Sequence, residues 1–87
     1  MDKQWITSFR EKLDQHYAWP SLYMFKFIVP TGKEMDVKKI FPQHNITEKL
    51  SKQGNYTSIT VQMMMPSSEA VISIYQQASS IEGLIAL

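Results

Sequence analysis

The chain has no cysteine, which excludes thiol catalysis, disulfides, iron–sulfur ligation and thiolate zinc sites. Its two histidines, His16 and His44, lie far apart in sequence. Neither has a nucleophile or a paired carboxylate nearby, so both read as helix-end or loop residues rather than acid–base catalysts, and no metal site or cofactor is expected. An excess of charge of one sign is also missing. Nine Lys and Arg against eight Asp and Glu leave +1, so no global field draws the chain to nucleic acid or an anionic membrane. Long apolar runs are absent too: residues 22–29 are interrupted by Lys26 and fall far short of the ~20 residues that span a bilayer. The first residues lack a continuous apolar leader, so a cytoplasmic location is expected and the sequons at Asn45 and Asn55 carry no weight. With only three glycines and four prolines, breaks between elements are few and each one is informative.

What is present is ordinary globular material. The 87 residues are 44% apolar and 20% charged, enough for one domain with one core and too little for two. Residues 2–16 place Trp5, Ile6, Phe9 and Leu13 on one helical stripe, and Pro20 ends that helix because it offers no amide and pushes its predecessor out of the α region. Residues 1–20 thus read as a helical arm and linker, and residues 21–87 as the domain proper.

Residues 22–29 are aromatic and β-branched and predict a central strand. Tyr23, Phe25, Phe27 and Val29 form its wholly apolar face, whereas Leu22, Met24, Lys26 and Ile28 share the face that carries its one charge. Thr31 followed three residues later by Glu34 has the form of a capping box, predicting a helix over 32–41 with Val37, Ile40 and Phe41 inward and Pro42 at its end. Residues 45–52 read as a polar edge strand. Gly54 and Asn55 then make a hairpin turn, with Gly54 supplying a positive φ, into the clean alternation of 56–63. Ile59, Val61, Met63 and Met65 point to the core; Tyr56, Ser58, Thr60, Gln62 and Met64 point away. Ser67 caps a last helix that carries Glu69 in its first turn and Val71, Ile74, Tyr75, Ala78 and Ile81 on its inner face. Gly83 breaks it and residues 84–87 form a short strand.

Beyond the arm, the order strand, helix, strand, strand, helix, strand is the α+β, ferredoxin-like βαββαβ pattern: two helices on one face of a four-stranded antiparallel sheet. Phe25-Lys26-Phe27, the run from Ser51 through Gly54-Asn55-Tyr56 to Ser58, and residues 81–87 together give a family resemblance. The chain resembles the YbeD-like family of small bacterial proteins of unknown function, over most of its length from about residue 10. That resemblance implies a ferredoxin-like fold, a similarity to ACT-type regulatory domains that bind small metabolites at subunit interfaces, and a connection to lipoate metabolism. The short first core helix and the aromatic N-terminal arm depart from the family pattern.

The functional reading rests on the sheet face left without helices. Met24, Lys26, Ile28, Tyr56, Ser58, Thr60 and Gln62, with Met64, mix apolar area, hydroxyls, an amide and one cation, which suits a partner protein or a small ligand. Two other arrangements compete for this face. The arm folds back over it with Trp5, Ile6, Phe9 and Leu13, or a homodimer forms through the face or through an arm interface at Trp5, Phe9 and Leu13, with helices exchanged between subunits. RNA recognition on the same topology needs two or three exposed aromatics on the central strands. Only Tyr56 is there, although residues 1–52 carry all nine basic side chains. Gly32-Lys33 lacks the earlier glycine and following hydroxyl of a phosphate loop, and Glu34 and Asp36 diverge on a helix. The expectation is therefore a non-enzymatic, homodimeric interaction or regulatory module that binds a partner protein or small metabolite at its sheet face or subunit interface, with an RNA-binding module as the alternative and no membrane partner.

Overall fold

The computed structural model describes residues 3–42 and 45–87. Its elements run α1 (Lys3–His16), β1 (Ser21–Pro30), α2 (Glu34–Lys38), β2 (Ile46–Leu50), β3 (Tyr56–Met65), α3 (Ser68–Ala78) and β4 (Ile85–Ala86). The sheet is antiparallel in the order β2-β3-β1-β4, as the ferredoxin-like pattern requires. Parity sorts β1 as expected. Phe25, Phe27 and Val29 are fully buried, Tyr23 nearly so, and they pair with Val61, Ile59, Thr57 and Met63 of β3. Val37 and Phe41 from the α2 region, Val71, Tyr75 and Ala78 from α3, and Leu13 from α1 close the core from the other side.

Several local expectations are corrected. The first core helix spans five residues rather than 32–41, and Thr31 does not cap it. Lys33 holds the cap position with no side-chain bond, while the Thr31 hydroxyl donates to the Gly54 carbonyl at 2.7 Å. The chain continues past Lys38 through three-residue turns, Ile40 N–H to Val37 O and Phe41 N–H to Lys38 O, which still bring Phe41 into the core. β2 is shorter than 45–52, because Ser51 already turns the hairpin by donating its N–H to the Tyr56 carbonyl. β3 is longer and reaches Met65, and Met63 is only half-buried. In α3, which stops at Ala78, Ile72 is buried and Ile74 is not. Ser67 caps it as read, accepting from Ala70 N–H at 3.2 Å.

The arm does not cover the open face. α1 packs on the helical side, against α3: Phe9 meets Tyr75 edge-on at 5.5 Å, Trp5 lies tilted against Phe9 at 5.0 Å, and Leu13 is buried in the core. After α1, Tyr17 packs on Tyr23 and stacks on Trp19, whose indole N–H donates to Asp14 at 2.9 Å. These partners lie on the helical side of the sheet, where the apolar face of β1 draws them. Burying that aromatic arm against α3 satisfies the same hydrophobic demand that covering the sheet would have met.

Candidate functional site: the open sheet face

Because paired residues in an antiparallel sheet share a face, the register defines the uncovered surface. Leu22 stands opposite Met64, Met24 opposite Gln62, Lys26 opposite Thr60 and Ile28 opposite Ser58. β2 adds Thr47 beside Thr60 and Lys49 beside Ser58, and β4 adds Ile85 beside Ile28. The sequence-derived set Met24, Lys26, Ile28, Ser58, Thr60 and Gln62 is therefore brought together on one surface, with Tyr56 at its hairpin end. Met24 is 53% exposed, Met64 58% and Tyr56 47%. Apolar side chains occupy both ends of this face and hydroxyls and an amide its middle. Its charges are Lys26 and Lys49, and no carboxylate falls on it by this register.

The hairpin end is concave. A cleft of about 490 Å³ lies between Ile28, Leu50, Tyr56 and Ser58, with Lys49 and Lys52 at its rim. The turn that shapes it is held by Gly54, whose φ is +76° and whose N–H donates to the Ser51 carbonyl at 2.9 Å. Tyr56 N–H adds a bond to the Ser51 hydroxyl at 3.1 Å. Gly54 and Asn55 thus belong to the turn beside the cleft and do not line it.

The other candidate residues lie elsewhere. His16 is exposed at the end of α1, and His44 lies outside the described residues. Leu13, named for an interface, is buried within its own chain, whereas Trp5 and Phe9 remain partly accessible. Glu34 is occupied structurally: its carboxylate accepts from Gly32 N–H at 2.6 Å and from the Thr57 hydroxyl at 2.9 Å. Its own backbone amide, then those two donors, hold its pKa below the usual value. Among the described residues no three His, Asp or Glu side chains gather as metal ligands would, and no helix is long and apolar enough to cross a membrane.

Sequence reasoning missed one feature. On the helical side, an open cleft of about 460 Å³ is walled by Trp5, Phe9, Tyr23, Tyr75 and Leu84. The Tyr23 and Tyr75 hydroxyls bond to each other at 2.9 Å, and burial pushes both phenols to higher pKa. The aromatic excess of the arm was its only signal, since the cleft exists because α1 packs beside α3.

Among solved structures, the chain matches the solution structure of protein HP0495 from H. pylori with a TM-score of 0.65 at 19% identity, over 82% of this chain and 85% of that one. At that identity the likeness shows the fold alone. No curated protein matches. The family model described as "Protein of unknown function (DUF493)" matches residues 14–87, and the chain belongs to that family, the YbeD-like proteins it resembles in sequence.

Proposed function

We propose that the chain is a cytoplasmic, non-enzymatic interaction module whose open sheet face receives a partner protein, the contact being an apolar segment flanked by carboxylates. The observation that carries this reading is the uncovered face itself: Leu22, Met24, Met64, Tyr56 and Ile85 are each about half exposed on one surface while every helix lies on the other. Exposed apolar side chains at both ends of a face with a polar middle suit an interaction surface.

Charge favours a foreign partner over a second copy. Two such faces stacked together would bring four lysines and no carboxylate into one interface, and like charges so placed cost affinity.

The test titrates the full isotope-labelled chain with an amphipathic peptide of leucine and glutamate, with its lysine-for-glutamate counterpart, and with a single-stranded oligouridine. The acidic peptide is expected to move the amide resonances of Met24, Lys26, Ile28 and Ser58, and Lys49→Glu to weaken it about tenfold. Silence of those resonances to both peptides overturns the reading. So does preferential binding of the RNA, or a free chain that is already a stable dimer which Met24→Asp dissociates.

A further inference from the structure

The hairpin end of the open face is built on a braced turn. Ser51 N–H donates to Tyr56 O at 2.7 Å. Thr31, just beyond β1, holds the turn from the other side: its N–H donates to Asn55 O at 3.0 Å and its hydroxyl to Gly54 O at 2.7 Å. Tyr56 is thereby fixed through its backbone while its ring stays out of the core, 47% exposed and without a ring contact among the described residues. Two hollows meet at this ring. Tyr56, Ser51 and Lys52 line both the cleft of about 490 Å³ beside Ile28 and Leu50 and a second hollow of about 300 Å³ beside Gln53 and Asn55. A ring that stands between two hollows on a braced backbone is a stacking platform, and its rigidity lowers the ordering cost of binding.

The charge around the larger cleft has one sign. Lys49 and Lys52 line it, and no acidic residue lines either hollow. Lys26 lies two residues from Ile28 on the same face of β1, about 7 Å along the strand. None of these three lysines makes an ion pair among the described residues, where Lys38 and Glu48, at 2.9 Å, form the one such bridge. An apolar hollow beside unpaired cations selects an occupant of two parts. A purely apolar side chain leaves the cations unanswered, and a bare anion leaves the hollow empty. Because the cations are distributed along strand and turn, they suit carboxylates spaced along a chain better than the single anion of a small molecule.

We infer that this cleft is the anchoring point of the open face: it takes one aromatic side chain of the partner protein, laid against Tyr56 between Ile28 and Leu50, with carboxylates within two residues of that side chain meeting Lys49 and Lys52. The inference rests on the reading of the open face as a docking surface and adds which residue of the partner decides affinity. Aromatic anchors seated in concave hollows carry a large share of the binding energy at protein contacts. Offset and edge-on ring pairs add an attraction that an aliphatic side chain of like size does not. Lysine stems can lie along the seated ring while their ammonium heads meet the carboxylates. A nucleic-acid strand would call on the same ring and cations, but it stacks successive bases on successive aromatics, and Tyr56 is the one ring on this face among the described residues.

The test uses the full isotope-labelled chain and a blocked heptapeptide with phenylalanine at its centre and glutamate on both sides. It is compared with the same peptide carrying leucine at the centre, and with one carrying glutamine for glutamate. The phenylalanine peptide is expected to shift the amides of Leu50, Tyr56 and Ser58 and, through its ring current, to move the methyl resonances of Ile28 and Leu50 upfield. Leucine at the centre is expected to weaken binding about fivefold and glutamine for glutamate about tenfold. Tyr56→Thr is expected to lose the preference for phenylalanine with the melting transition kept, and Tyr56→Phe to retain it. Should Tyr56→Thr fail to fold, the peptide comparison on the native chain decides alone. Equal binding of the phenylalanine and leucine peptides, or shifts confined to Leu22, Met24 and Met64, overturns the anchor and leaves the open face as a docking surface. Silence to all three peptides overturns both. N-acetylphenylalanine binding as tightly as the peptide overturns the anchor in favour of a small aromatic acid, and oligouridine binding more tightly through Tyr56 overturns it in favour of RNA.

Discussion

Glu34 is the residue whose environment makes the clearest demand on solution behaviour. Its folded pKa lies below the ordinary 4.5, so the bonds to Gly32 and Thr57 stabilise the fold above that pH and are lost as pH falls through the folded pKa. Urea midpoints measured from neutral to acid pH are expected to fall more steeply below 4.5 for the native chain than for Glu34→Gln. Gly83 is the other sensitive position. It has φ +80°, and a Cβ there would sit 2.7 Å from Pro30 Cγ, whereas Gly32, at φ +107°, has nothing within 4 Å of an added Cβ. Gly32→Ala carries backbone strain alone and should cost about 1 kcal/mol, and Gly83→Ala, with strain and collision together, about 2–3 kcal/mol by denaturant unfolding. Gly54 was legible because a turn between two strands advertises its φ. The partner of Thr31 was not, since local spacing shows a Thr and a Glu three apart but cannot reveal that the hydroxyl bonds a carbonyl 23 residues away.

At the scale of elements, alternation made β1 and β3 readable. Phe25, Phe27, Val29, Ile59 and Val61 are all fully buried as their parity requires. The amphipathic stripe of α1 likewise announced a buried face but not its destination, because hydrophobic burial is non-directional and both α3 and the open sheet offered apolar surface. α1 took α3, and with α3 covered by the sheet and by α1, Ile72 is buried beside the expected Val71, Tyr75 and Ala78. The anchoring of α1 is correspondingly uneven. Leu13→Ala should cost about 2–4 kcal/mol, in the range of other buried leucines, while Trp5→Ala, at a half-exposed site, should cost less than about 1 kcal/mol. Equal losses from both in chemical denaturation would mean that the two ends of the helix are held alike.

For the molecule as a whole, stacking two open faces would set Lys26 and Lys49 of one chain against those of the other with no carboxylate on the face between them, which opposes self-association. Light scattering at micromolar concentration is expected to return the mass of a single chain, 10.1 kDa, unchanged by Met24→Lys. The uneven distribution of charge was visible in sequence, as was the existence of a bare sheet face. The rings divide by side as well. Trp5, Phe9, Tyr17, Trp19, Tyr23, Phe25, Phe27, Phe41 and Tyr75 form one connected set of contacts, and Tyr56 stands apart from it across the sheet. Both indoles, Trp5 and Trp19, thus report on one side only: an occupant of the helical-side cleft alters their emission, whereas one on the open face leaves it unchanged.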